Sequence, residues 1–143
     1  MSTPHKLSLA DFLLSLTLSP RLVIELLVEN EVGEIYLLKR DIPPFIDTWH
    51  LPGGFLLKDE LIKDCVPRLL KEELGLPESK WEFIKLVEDI DGDPRGHLLH
   101  YFVKVQINEL SNTDKGKYFK FLPTNTMPHQ IPMLLELGYH LVT

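Results

Sequence analysis

Residues 49–76 constrain this chain more than any other stretch. They begin Trp49-His50-Leu51-Pro52-Gly53-Gly54-Phe55, pass through Asp59 and Glu60, and end Arg68-Leu69-Leu70-Lys71-Glu72-Glu73-Leu74-Gly75-Leu76. The pattern predicts a Gly-Gly turn feeding a helix over residues 59–74. Asp59 and Glu60 open that helix as the macrodipole favours, and Gly75 closes it in the left-handed C-cap position. Ile62, Cys65, Val66 and Leu70 supply an apolar stripe. Pro67 conflicts with this reading, because an interior proline removes a backbone donor, and a bend is expected there. Glu72 and Glu73 are adjacent, about 100° apart around the helix. An isolated pair of this kind is ordinarily a solvated face. A hard divalent cation would relieve the repulsion between the two and offer a site to phosphate oxygens, with magnesium the natural candidate. Arg68, four residues before Glu72, can pair with it or with Glu60.

At 143 residues the chain is expected to form one domain over 1–143, with about 1–20 as a helical N-terminal extension. No stretch reaches the roughly 20 apolar residues of a membrane span. The formal charge of -6 argues against nucleic acid or an anionic membrane as partner, since both reward basic patches. A single cysteine excludes an internal disulfide and a Cys-rich zinc site, which is compatible with a reducing cytoplasm, the expected location.

Ser8 is a candidate N-cap for a short packing helix with Leu9, Phe12, Leu13 and Leu16 at helical spacing, stopped at Ser19-Pro20. Residues 22–28 and 35–38 read as a hairpin across the turn-forming residues 29–34. Pro43 and Pro44 make 42–45 a loop. Residues 81–90 and 97–107 read as a second hairpin joined by 91–96, residues 108–116 as a surface loop, and residues 118–122 as a short strand. A last helix is expected to start near Pro132 and run toward residue 141. Short strands with helices between them predict an α/β (α+β) fold, a central mixed sheet covered by helices on both faces.

The stretch resembles the Nudix box, the signature of Nudix hydrolases: Gly, five residues, Glu, seven residues, Arg-Glu, an aliphatic, any residue, Glu-Glu, any residue, Gly, an aliphatic. Gly54, Glu60, Arg68, Leu70, Glu72, Glu73, Gly75 and Leu76 fall in register. The departure is Leu69, where the box has Glu. The resemblance covers the chain from about residue 22 to 141 and implies the Nudix α/β/α sandwich. It also implies metal-dependent hydrolysis (Mg2+ or Mn2+) of a diphosphate bond in a nucleoside diphosphate linked to another group. In that reading Glu72 and Glu73 hold metal, Gly53 adds a backbone carbonyl, and Arg68 with Glu60 orients the carboxylates. In much of the family the Glu missing at Leu69 is a metal ligand or the catalytic base. Glu88, Asp89, Asp91 and Asp93 are the candidate substitutes, with His97 and His100 behind them. A homodimer is common in the family.

Asp93-Pro94-Arg95-Gly96-His97 is similar to a segment of Nudix proteins that handle ADP-ribose and of Nudix-fold regulators of NAD metabolism. If it is more than a hairpin turn, Arg95 could meet a phosphate. Lys39 and Arg40 could offset substrate charge, and Gly54 would lie against the substrate. Trp49, Phe45 and Trp81 read as core or loop anchors, Cys65 as a small buried residue, and His129 as a helix-capping or surface residue. Isopentenyl diphosphate isomerases share the fold but require a catalytic cysteine elsewhere, which this sequence lacks. Two functions follow: a hydrolase of ADP-ribose-like compounds or nucleotide sugars, or a Nudix-fold binding or regulatory module that has lost hydrolysis through Leu69. The regulators carry a DNA-binding domain after the Nudix domain, and none is expected within these residues.

Overall fold

The computed structural model describes residues 3–143. Among the described residues three helices and seven strands follow in the order α1 (Leu9–Leu18), β1 (Arg21–Glu29), β2 (Ile35–Lys39), β3 (Trp49–His50), β4 (Gly53–Phe55), α2 (Ile62–Leu74), β5 (Trp81–Asp89), β6 (Leu98–Gln106), β7 (Gly116–Phe119) and α3 (Gln130–Glu136). The strands form one sheet in the order β3-β2-β1-β6-β5, with β4 paired to β1 and β7 to β2. β1 pairs antiparallel with β2 and with β4. It runs parallel to β6, because Arg21 N–H bonds His97 O at one end and Ile107 N–H bonds Glu29 O at the other. The sheet is therefore mixed, as expected. Among the described residues, no helix is long and apolar enough to cross a membrane.

The chain divides into two compact units. One comprises residues 3–25, 53–79 and 83–103. In it Ser8 caps α1 as predicted, its Oγ accepting from Asp11 N–H at 3.2 Å. The helix stops at Ser19, whose extended backbone precedes Pro20. Leu16 packs with Val23 and Leu98, joined by Phe12 and Phe55. The packing stripe is narrower than the spacing suggested, for Leu9, Leu13, Leu14 and Leu18 are all exposed.

Residues 53–55 are a strand rather than the expected turn, with Glu25 opposite Gly53 and Ile24 opposite Gly54. Gly53 is needed because a Cβ there would lie 2.1 Å from the Ile24 carbonyl oxygen. The helix expected from residue 59 starts only at Ile62. Asp59 takes a φ of 66°, which no helix accommodates, and Glu60 is held outside by its hydrogen bonds, so Asp64 is the acid of the first turn. α2 continues to Leu74 with Pro67 inside it. Gly75, at φ 65°, ends it with its N–H on Lys71 O, while Leu76 N–H reaches Leu70 O.

The other unit comprises Leu26–Pro52, Lys80–Glu82 and Lys104–Thr143. It holds the β2 ladder to β3 and β7. Trp49 is buried edge-to-face on Phe119 at 4.9 Å, the anchor its size suggested. The strand expected over 118–122 lies slightly earlier, at Gly116–Phe119. The last helix is shorter than expected and ends at Glu136. Gly138 turns the chain with φ 98°, and the Tyr139 hydroxyl bonds Glu29 instead of extending a helical stripe.

Candidate active site

The first unit contains a cavity of about 410 Å³ lined by Gly54 and Phe55 of β4 and by Arg68, Leu69, Glu72 and Glu73 of α2. Lys6, Leu7, Leu9 and Phe12 from around α1, with Arg21 and Leu57, complete it. The paired acids thus border a concave surface instead of a bare helix face.

Arg68 is the brace. Its Nε reaches Glu60 Oε2 at 2.7 Å and its Nη2 reaches Glu60 Oε1 at 3.0 Å, a two-point contact. Nη1 donates to Glu72 Oε2 at 3.0 Å and Nη2 also donates to Phe55 O at 3.0 Å. The sequence left Glu60 and Glu72 as alternatives, and Arg68 bonds both. Burial works against the charge of Glu60, but Arg68 and the Leu57 N–H outweigh it and hold this carboxyl below the usual range. Hydrogen bonding to Glu60 raises the Arg68 guanidinium further, so the brace stays charged. Burial, with the Glu60 charge, pushes the Cys65 thiol up to about 12, which removes thiolate chemistry at this buried residue.

Glu73 shows the opposite balance. Partial desolvation, then the neighbouring Glu72 charge, raises its pKa, with Lys6 and Arg68 opposing. A cation shared by these two carboxylates would relieve that strain, so the donor set fits a divalent ion. Among the described residues no group of three His, Cys, Asp or Glu side chains could hold a metal. The fit is therefore to an ion such as magnesium, which keeps much of its water and takes one or two carboxylates plus substrate oxygens. Leu69 is why the third acid is missing: it is 3% exposed and packs on Gly54, where a Cβ would lie 2.6 Å from its Cδ2.

The candidate substitute bases do not line this cavity. Glu88 and Asp91 are exposed. Asp93 is buried and holds Arg95, with Oδ2 at 2.6 Å from Arg95 Nη2 and Oδ1 at 2.9 Å from its backbone N–H. That pairing sets the Arg95 guanidinium 5.6 Å from the centroid of Phe55, a ring that lines the cavity, although Arg95 itself does not. Asp89 caps Gly92 N–H at 2.6 Å and places Oδ2 3.5 Å from His100 Nε2. Arg40, in the other unit, is bonded to the carbonyls of Pro43 and Pro44 and pins the loop after β2. His129 stands at the N-cap position of α3 with its ring 5.9 Å from Phe45.

Two groups escaped the sequence reading. One is the N-terminal contribution of Lys6, Leu7, Leu9 and Phe12, which lie outside the box and its spacing. The other is Glu25, 5% exposed, with Oε1 3.0 Å from Nδ1 of His100, itself 1% exposed. The available signal was a carboxylate interrupting an aliphatic run, Leu22-Val23-Ile24-Glu25-Leu26-Leu27-Val28.

The NUDIX domain family matches residues 19–133, well over half of the chain. The chain belongs to the Nudix family. Among its relatives is an ADP-ribose pyrophosphatase of Methanocaldococcus jannaschii, 32% identical over 115 residues, which are 79% of this chain and 68% of that one. A MutT/nudix family protein of Enterococcus faecalis is 29% identical with a TM-score of 0.62, covering 79% of this chain. This chain spans only 51% of the Enterococcus protein. The NUDIX domain of Shewanella oneidensis NrtR, solved with ADP ribose, has a TM-score of 0.59 at 18% identity over 94% of this chain and 90% of that one, a likeness of fold. In this Nudix chain the family match begins at residue 19, so the lining residues Lys6, Leu7, Leu9 and Phe12 precede it.

Proposed function

We propose that this chain is a Nudix pyrophosphohydrolase that cleaves the diphosphate of ADP-ribose or a similar nucleoside diphosphate derivative, with reduced rate because of Leu69. The observation that carries the reading is the Arg68 brace, which joins Glu60 to Glu72 at the wall of a cavity that Glu73 also lines. A bound magnesium or manganese ion would polarise the phosphoryl oxygens and stabilise the leaving oxygen. Glu72 and Glu73, with the Gly53 carbonyl, are the residues that would hold it. Glu72 is paired with Arg68 and with Lys6, whose Nζ is 3.2 Å away. Glu73, which lines the cavity beside Glu72, would take the proton of the attacking water. Water adds to one phosphorus, the bridging P–O bond breaks, and the bridging oxygen leaves on the other phosphate. ADP-ribose would yield AMP and ribose 5-phosphate. Arg95, oriented by Asp93, supplies a further phosphate donor. Arg40 would have to release the Pro43 and Pro44 carbonyls to contribute. The M. jannaschii relative named as an ADP-ribose pyrophosphatase supports this choice of substrate.

The test is incubation with Mg2+ or Mn2+ and a panel of ADP-ribose, nucleotide sugars, dinucleotides and nucleoside triphosphates, with monophosphate release measured. AMP release from ADP-ribose is expected. Glu73→Gln should reduce it by about 100-fold or more, the loss typical of removing a general base. Leu69→Glu should raise it by adding a third carboxylate. Tight calorimetric binding of one compound with no turnover of any would establish the binding module instead.

A further inference from the structure

Among the described residues three cationic side chains line the cavity, and two of them are fixed. Arg68 is held by Glu60, Glu72 and the Phe55 carbonyl. Arg21 donates to Ser15 Oγ at 2.5 Å and Leu56 O at 3.4 Å, with its guanidinium 5.0 Å from the Phe55 ring centroid and 5.6 Å from that of Phe12. The third, Lys6, is different. Its side chain is 70% exposed, and its ion pair among the described residues is with Glu72 Oε2 at 3.2 Å. Arg68 Nη1 reaches that same oxygen at 3.0 Å. One carboxylate oxygen therefore carries two cations, while burial, and then the Glu72 charge, disfavours the ionised form of Glu73 beside it.

The backbone delivers Lys6 to this place. Ser8 caps α1 two residues later, and Leu16 and Phe12 tie that helix to Val23, Leu98 and Phe55. The ammonium itself is a point charge on a flexible stem, able to move without disturbing the helix.

We propose that Lys6 is an exchangeable cation of the active site, paired with Glu72 before ligands bind and transferred to a phosphate oxygen of a bound diphosphate when Glu72 and Glu73 take up a divalent ion. This rests on the function proposed above. The transfer conserves charge: the divalent ion replaces the ammonium on the carboxylates, and the ammonium meets the added negative charge of the diphosphate. Lys6 then weakens divalent-ion binding when no substrate is present and strengthens binding of the diphosphate. In a cavity with two acids instead of three, a lysine from outside the matched family region shares the task of neutralising the substrate.

The exchange is tested with Lys6→Gln in two titrations, neither of which requires turnover. Calorimetry with Mn2+ alone should show the variant binding roughly two- to fivefold tighter, the range a surface ion pair supports. Titration of the α,β-methylene analogue of ADP-ribose, whose bridging carbon resists hydrolysis, in saturating Mn2+ should show about tenfold weaker binding, the worth of a hydrogen bond between charged groups. Lys115→Gln changes the net charge equally at a residue outside the cavity lining and should move neither value. Absence of either shift in Lys6→Gln, or equal shifts in Lys115→Gln, overturns the exchange. A protein that shows both shifts but hydrolyses none of the panel retains the exchange and loses the hydrolase reading.

Discussion

Gly53 and Gly54 are chemically identical neighbours, yet they face obstacles of different stiffness. A Cβ on Gly53 would meet the Ile24 carbonyl oxygen at 2.1 Å, which is backbone within the sheet, whereas one on Gly54 would meet the end of the Leu69 side chain at 2.6 Å. A carbonyl held in a strand cannot withdraw, but a leucine can change rotamer. Gly53→Ala should therefore break the β1–β4 pairing and cost about 3 kcal/mol or more, while Gly54→Ala should cost about 1 kcal/mol. Urea unfolding measures both, and similar losses would contradict the difference in stiffness. That one of these residues is intolerant could be guessed from the Gly-Gly dipeptide. Which one could not, because the answer depends on the strand opposite.

The Arg68 brace makes the start of α2 an element held by its neighbours. Leu61 stands at the N-cap with no side-chain cap bond, and the turn before the helix is fastened by Glu60 instead, through Leu57 N–H at 3.1 Å and Arg68. Glu60→Gln removes one charged acceptor and should cost about 2 kcal/mol, seen as a Tm several degrees lower at neutral pH. The pH dependence follows from the lowered pKa of Glu60. This contribution is fully present above the ordinary glutamate range and is lost as pH falls through the depressed folded value. The wild type should thus lose its advantage over Glu60→Gln in acid; a constant gap in Tm down to pH 2 would show that the charge does not matter. Helix type, C-cap and apolar stripe were legible from residue spacing. The early start was misread because Asp59 and Glu60 look like first-turn acids, and only the tertiary contact to Arg68 shows Glu60 working from outside the helix.

At the scale of the molecule, two ordered units carry a net charge of -6, and acids of both signs of pKa shift are embedded in them. The pair Glu25–His100, with Asp89 on the far side of the ring, is the most buried of these. Burial alone would lower the His100 pKa, but the Glu25 hydrogen bond and the charges of Glu25 and Asp89 outweigh it and raise it above 6.5. A raised folded pKa means that the stabilisation is complete below the unfolded value and disappears as pH rises through the folded one. Tm should therefore decline from about pH 6.5 into the alkaline range, and His100→Gln should flatten that decline. A wild-type Tm unchanged from pH 6 to 9 would place the proton elsewhere.

The sequence by itself determined the family pattern, the pairing of β1 with β2, the caps at Ser8 and Gly75, and Arg68 as an ion-pair partner for acids of its own stretch, because spacing along one element is a local property. Tertiary structure alone decided that Leu69 fills the space against Gly54, that Glu25 meets His100 across 75 positions, and that Lys6 reaches Glu72. Those contacts join segments far apart in the chain, so they follow from strand register and from how α1 and α2 pack, which no short-range periodicity encodes.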